Sequence, residues 1–303
     1  MVLDRNKTGK KNKMKLSVCI VSWNTKELLK KCLSSVYRHP PGCEFEVLVA
    51  DNNSSDGTAD MVEKDFPKVR LTKNKENLGF AAANNIEFKQ AKGDYLLILN
   101  PDTEVFSGSI DTLVKFLDNN KETGVVAPKL VNSDGTLQRS CMGFPTLGAM
   151  VMRQLFLEAL IPFNPYTKKY LMTDFKHDVT REVDQPMGAC LLTRKAIIDK
   201  IGPFDGNYYM FFDEVDLCFQ IKKAGWKIFF TPGSTVMHHG GTAVRKWSPL
   251  RLSKIWTSSR NYYFKKHYGN FVLFALYLAD ALKTLLIFAV IYLLYRLLKY
   301  LVR

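Results

Sequence analysis

Paired cysteines are missing from this chain. Cys19, Cys32, Cys43, Cys141, Cys190 and Cys218 are scattered, with no CxxC or finger-like spacing. A disulfide framework and a structural zinc site are therefore not expected, and a reducing compartment is the default. Acidic side chains are scarce at both ends: residues 1–15 hold six basic groups against one acid, and residues 243–303 hold eleven against one. The stretch between holds 26 basic and 27 acidic groups, so the net charge of +14 resides in the termini. A nucleic-acid binder would carry positive charge on the folded face that meets the phosphates. Basic ends beside an apolar tail suit an anionic membrane surface instead, and no nucleic acid is expected as a partner. A signal peptide is not expected either, because the first apolar run spans only about seven residues and no small-residue cleavage site follows. Lys7 to Lys15 reads as a solvated tail. With 303 residues, 47% hydrophobic and 24% charged, the chain is neither disordered nor fibrous, and fits one large domain, or one domain plus an appendage.

What is present is alternation. Residues 16–22, 44–50, 68–72 and 94–99 are short runs rich in Val, Ile and Leu, and each predicts a strand. Helices are predicted between them over 25–38, 57–65 and 79–91, each opened by Asn, Ser, Asp or Gly that can serve free N–H groups. Such alternation implies a mostly parallel sheet with helices on both faces, whose ligands bind beyond the carboxyl ends of the strands. The second half is less regular: a polar turn at 132–136, an aromatic and proline-containing stretch at 144–166, strands at 187–193 and 227–231, and a helix over 213–224.

Long hydrophobic runs are also scarce. Residues 271–295 are apolar except for Asp280, Lys283 and Thr284. Two charges at the centre of a span cost roughly 2.5–3.5 kcal/mol each, although Asp280 and Lys283, three apart on a helix, could pair. The uninterrupted stretch 285–295 is too short to cross a bilayer alone. An interfacial or re-entrant attachment is favoured, with a single span, or a soluble core helix or oligomer contact, as alternatives.

Candidate chemistry follows the strands. Asp51, at the end of the second, can accept hydrogen bonds from a ribose hydroxyl or a base N–H, while Asp56 reads as a helix cap. Gly79 opens a small-residue helix start that lets backbone approach a ligand or pack against the sheet. Pro101 ends the fourth strand and aims Asp102 outward, and a hard cation bridging a pyrophosphate needs only one or two carboxylates. Asp213, Glu214 and Asp216 crowd a first helical turn, where the dipole favours acids and adjoining aromatics can tune a general base. His238 and His239 follow a strand-like stretch, and a neutral imidazole suits Mn and other transition metals.

Taken in order, VSWN, VADNNSSDGT, ENLGFAAANN, LILNPDT, FFDEVDLC and KKAGWKIFFTPGSTVMHHGG resemble the family 2 glycosyltransferases of GT-A fold. The rhamnosyltransferase-like branch is the most similar, and the likeness covers about residues 16–268. The resemblance implies an α/β fold of Rossmann-like type, a mixed, mostly parallel sheet flanked by helices, followed by a C-terminal membrane-associated helical segment. Its implied organisation is a basic tail over 1–15, a GT-A domain over 16–242 and a helical segment over 243–303. Within the domain, a nucleotide half is expected over about 16–131 and an acceptor half over about 132–242. By resemblance, Ser22, Asn24, Asp51 and Asn53 contact the donor's base and ribose, and Asn77 with Asn84 or Asn85 lies near the donor. Asp102 matches the last acid of the family's Asp-x-Asp metal motif, whose first place is held here by Asn100. His238, in preference to His239, matches a further metal ligand, so a divalent cofactor, Mn or Mg, is implied. The family's base takes the second place of a Glu-Asp pair; here the pair is Asp213-Glu214, and Glu214 is the first choice, Asp213 the second. Asp216 supports the helix.

The implied reaction is an inverting transfer of a sugar, rhamnose or another deoxyhexose, from a nucleotide-sugar donor to a hydroxyl of a saccharide acceptor. The acceptor is expected to be lipid-linked, at the cytoplasmic face of the cell membrane, in polysaccharide synthesis. A glycosidase would need two opposed carboxyl groups. The alternatives are a transferase using a UDP-hexose, and a catalytically silent, membrane-attached binder of sugar nucleotides.

Overall fold

The computed structural model describes residues 15–241 and 247–301. The expected solvated tail, apart from Lys15, and the junction 242–246 lie outside the described residues.

Strand β1 (Leu16–Ser22) is buried along its whole length, which is why its sequence does not alternate. It is followed by α1 (Lys26–Arg38), β2 (Phe45–Asp51), α2 (Thr58–Asp65), β3 (Arg70–Lys73), α3 (Phe80–Gln90) and β4 (Tyr95–Leu99). β1 pairs in parallel with β2 and β4, and β2 with β3, so these four strands all end on one edge. The chain then adds β5 (Thr103–Val105), α4 (Ser109–Asn119), β6 (Thr123–Val131), β7 (Leu137–Gln138), β8 (Cys141–Met142), α5 (Leu147–Gln154), α6 (Leu157–Leu160) and α7 (Pro165–Leu171). It closes with β9 (Arg181–Glu182), β10 (Gln185–Pro186), β11 (Cys190–Arg194), α8 (Lys195–Ile201), α9 (Asp213–Lys223), β12 (Lys227–His238) and α10 (Pro249–Leu301).

The main sheet runs β3-β2-β1-β4-β11-β6-β12-β5 and is mixed, mostly parallel. β11 lies antiparallel between β4 and β6, and β12 runs parallel to β6 but antiparallel to β5. Each face carries helices. Val18 and Ile20 pack with Leu29 and Leu33 of α1 and Leu113 of α4, whereas Cys19, between them, packs with Phe88 of α3 and Leu217 of α9. This is the expected alternating α/β architecture. The strand expected over 227–231 proves longer, because beyond an irregularity between Thr231 and Thr235 it resumes against β6 and reaches His238.

α10 breaks at Gly269, where φ is +83°. A straight helix would hold Arg260 and Asp280 about 30 Å apart, yet the fully buried Arg260 guanidinium reaches the Asp280 carboxylate at 2.5 Å, so the chain folds back at the glycine. Asp280 thus pairs with Arg260 rather than with Lys283. Lys283 instead donates to Gln154 Oε1 at 3.4 Å, at the end of α5. Leu276 shares an aromatic-rich cluster with Ala149, Met150, Phe212 and Tyr263, which seats the returning helix on the domain. The helix is long and apolar enough to cross a membrane, and its side chains over 284–300 are exposed.

Candidate active site

A cavity of about 250 Å³ opens beyond the carboxyl ends of β1, β2 and β4. Its wall draws on Trp23 and Thr25 after β1, Asn52 after β2, Asn77 before α3, and Asn100 to Asp102 after β4. Asp213 and Glu214 at the start of α9 and His238 at the end of β12 complete it. Segments far apart in sequence meet here because parallel strands deliver their following loops to one edge.

Asp102 and His238 are brought together by the sheet itself. β5 pairs with β12 so that Thr103 faces His238, and the backbone N–H of His239 donates to the Asp102 carbonyl at 2.9 Å. Both side chains are almost wholly buried, with His238 Nε2 at 3.3 Å from Asp102 Oδ1. A chain of hydrogen bonds fixes the imidazole. Thr136 Oγ1 donates to Asp134 at 2.6 Å, Asn132 Nδ2 donates to Thr136 Oγ1 at 2.9 Å, and Gln138 Nε2 donates to Asn132 Oδ1 at 3.0 Å. The oxygen of Gln138 must then accept from His238 Nδ1, 2.7 Å away. In the neutral imidazole the lone pair then sits on Nε2, facing a carboxylate oxygen in a buried wall. Two electron-rich atoms in that position suit a shared cation. His239 is different, because its nitrogens are engaged by Ser133 at 2.7 Å and Glu104 at 2.8 Å. Among the described residues no group of three His, Cys, Asp or Glu converges as a metal site, so a cation here would need ligands from phosphate or water.

The acidic turn is held by unusual backbone. Phe211 and Phe212 both have positive φ, 65° and 63°, a costly conformation for bulky residues that re-aims the chain into α9. Asp213 is buried, and burial together with the neighbouring Glu214 charge holds its carboxyl well above the ordinary range. Glu214 is half-buried at the wall, and a Cβ at Gly188 would stand 3.3 Å from its own Cβ. Asp216 is turned away into the protein, where it accepts from Tyr208, Gln220, Lys266 and His267. Burial alone would raise its carboxyl, but the bonds from His267 and Lys266 outweigh this and hold it low.

The other expected donor contacts are spread around the cavity. Asn77 lines it, and its side chain accepts from the Gly79 N–H at 3.0 Å. Asp51 does not line it, but adjoins Asn52, which does; Asp51 Oδ2 accepts from Ser54 N at 3.1 Å while Oδ1 is buried without a hydrogen bond. Ser22 is buried against Thr25 at 2.8 Å, and Asn24 accepts from Ser55 N at 2.8 Å, tying the loops after β1 and β2 together. Asn53 is exposed on that second loop. Asn84 and Asn85 donate to the carbonyls of Phe80 and Phe204 rather than lining the cavity. The start of α3 is packed: Phe80 N–H donates to the Tyr209 carbonyl at 3.1 Å, and Ala81 and Ala83 are fully buried. Asp56 accepts from Thr58 N and from Lys26 N, so it serves the starts of two helices.

Sequence reasoning did not single out Trp23, Asn52, Gly188, Tyr209, Trp247 or Gln138. Trp247 stands edge-on to Trp23 at 5.6 Å and stacks on Tyr209 at 5.9 Å, making an aromatic wall of the kind that receives apolar sugar faces. The density of aromatics over 208–212 was the one available signal for it.

The sequence profile described as Glycosyl transferase family 2 matches residues 17–201, more than half of the chain. The chain belongs to glycosyl transferase family 2. Asp213, Glu214 and His238 lie beyond the matched stretch. An N-acetylglucosaminyl-diphospho-decaprenol L-rhamnosyltransferase of Mycobacterium tuberculosis is 32% identical over 204 residues, covering 64% of this chain and 66% of that protein. The O-antigen biosynthesis protein RfbC of Myxococcus xanthus is 27% identical over 252 residues, covering 82% of this chain and 19% of that protein. The chain therefore spans less than two thirds of the length of these relatives. Among solved structures, the mannosyltransferase PcManGT of Pyrobaculum calidifontis in complex with GDP-Man and Mn2+ superposes with a TM-score of 0.52 at 17% identity, over 90% of this chain and 76% of that one. S. aureus TarS in complex with UDP gives 0.53 at 19% identity, over 81% and 64%. These two share the glycosyltransferase fold with this chain.

Proposed function

We propose that this family 2 glycosyltransferase moves rhamnose or another deoxyhexose from a nucleoside diphosphate sugar to a hydroxyl of a lipid-linked saccharide, at the cytoplasmic face of the cell membrane. The observation that carries the reading is the convergence of Glu214, Asp102, His238 and Asn52 on one cavity. The 32% identical mycobacterial rhamnosyltransferase supports the sugar and the lipid-linked acceptor, and the exposed apolar helix supports the membrane.

In this reading Glu214 takes the proton from the acceptor hydroxyl as its oxygen attacks the anomeric carbon. The bond from that carbon to the diphosphate oxygen breaks on the opposite side, and configuration inverts. Asp213, whose carboxyl is pushed upward by burial, orients Glu214 by accepting its backbone N–H. Asp51, Ser22, Asn24 and Asn53 receive the base and ribose, supported by the free Oδ1 of Asp51, and Asn77 lies beside the sugar diphosphate. Asn84 and Asn85 hold the adjoining loop. Asp102 and His238 Nε2, 3.3 Å apart, would hold a divalent cation, Mn or Mg. A cation held there would supply Lewis-acid stabilisation of the charge on the departing diphosphate. The domain organisation follows: a donor half over about 16–131, an acceptor half over about 132–242 and a membrane-attached segment from 243.

The test is donor hydrolysis by the full chain across TDP-, UDP- and GDP-sugars, with and without Mn or Mg. Selective turnover of a deoxyhexose donor supports the reading. Preference for a UDP-hexose replaces the donor, and binding without any turnover makes the chain a silent sugar-nucleotide binder.

A further inference from the structure

Between α5 and α7 the chain makes an elbow over 155–164 whose apolar side chains are held outward. Leu160 is 78% exposed and Phe163 91% exposed, with Phe156, Ile161 and Tyr166 more than half exposed. Loose loops expose such groups by fluctuation, but this elbow is fixed. The buried Asn164 accepts from Thr167 N and donates to the Ile161 carbonyl, each at 2.8 Å, and Pro165 opens α7. Tyr166 lies so close to Gly148 of α5 that a Cβ there would stand 2.6 Å from its ring. An apolar cluster pinned toward water is costly unless something covers it.

Its surroundings say what covers it. Lys283, where α10 leaves the domain, lies 5.8 Å from the Phe156 ring, so the elbow adjoins the root of the exposed apolar helix. Arg153, Lys168 and Lys169 surround the elbow with exposed positive charge, and Glu158, the one acid over 155–169, faces Arg153 at 3.6 Å. Aromatic and aliphatic tips ringed by basic groups, continuous with an apolar helix, match an anionic lipid surface, where ring and chain enter the headgroup boundary and amines meet phosphate. We infer that residues 156–166 form a second membrane contact, placing the bilayer surface level with Lys283 and Phe163. This rests on the membrane attachment proposed above, and adds which face of the catalytic domain lies down. The aromatic-rich cluster that seats α10 on the domain also holds α5, which leads into the elbow, and the start of α9, so the contact would fix the height of the acidic turn above the lipid.

The test uses the full chain with vesicles of phosphatidylcholine and phosphatidylglycerol, carrying brominated acyl chains in one arm. Phe163→Trp adds a reporter to the four native tryptophans, whose signal is subtracted using the wild type. The expected result is added emission that shifts to shorter wavelength on vesicle binding and is lost with brominated lipid. If the wild type binds vesicles but the added emission neither shifts nor is quenched, the elbow faces water or a protein and the inference is overturned while attachment stands. If the wild type does not sediment with vesicles at all, attachment and elbow contact fall together.

Discussion

The backbone N–H of Glu214 donates to Oδ1 of Asp213 at 3.1 Å, so two adjacent acids share one turn while occupying different environments. Both line the cavity, but Asp213 is buried and pushed above its ordinary range, whereas Glu214 is half-buried. Glu214→Gln is expected to lower transfer by about a hundred- to ten-thousandfold with nucleotide affinity retained. Asp213→Asn, which keeps the hydrogen bond and the volume, is expected to lose about tenfold or less. Single-turnover transfer and nucleotide titration of both variants check the assignment, and a fully active Glu214→Gln protein would remove Glu214 from the base role.

The hydrogen bond from His238 Nδ1 to Gln138 is expected to matter for metal binding, because it keeps the lone pair on Nε2. With a nucleoside diphosphate present, Gln138→Leu should weaken Mn2+ binding by about ten- to a hundredfold, and His238→Ala by at least as much. Paramagnetic resonance of free Mn2+ reads this directly, and treatment with a chelator should abolish donor hydrolysis by the wild type.

Gly79 has φ +82°, and a Cβ there would lie 2.3 Å from the Tyr209 carbonyl oxygen. Gly79→Ala combines backbone strain with that clash and would disrupt the Phe80 to Tyr209 hydrogen bond, so a loss of about 2 kcal/mol or more is expected in denaturant unfolding. An unchanged midpoint would mean that the Tyr209 segment moves freely from α3.

Glu87 is fully buried in α3, and burial, outweighing Thr72 and Arg70, raises its carboxyl from 4.5 to about 7. The folded protein therefore keeps a proton that the unfolded chain releases between pH 4.5 and about 7. Stability should fall as pH rises through that window, by at most roughly 3 kcal/mol, and change no further above it. Glu87→Gln should flatten the decline, and urea unfolding of both proteins at pH 5 and pH 8 measures it.

The first four parallel strands were legible because strands buried on both faces need continuous Val, Ile and Leu, and the helices between them need a repeating apolar side. β5 was not, because three residues after a turn carry no periodicity. The long β12 was legible only in two pieces, since Pro232 and Gly233 interrupt its pattern within a strand that continues beyond them.

The sequence by itself determined the α/β alternation, the carboxylates that follow the strands and the apolar tail, because each depends on neighbours a few residues apart. Only the tertiary structure decided that Asp102 meets His238, that Asp280 turns to Arg260 rather than to Lys283, and that the elbow at Phe163 lies beside the root of the tail. Those relationships depend on sheet order, on strand register and on a chain reversal at Gly269, which join residues too far apart for any local pattern to encode.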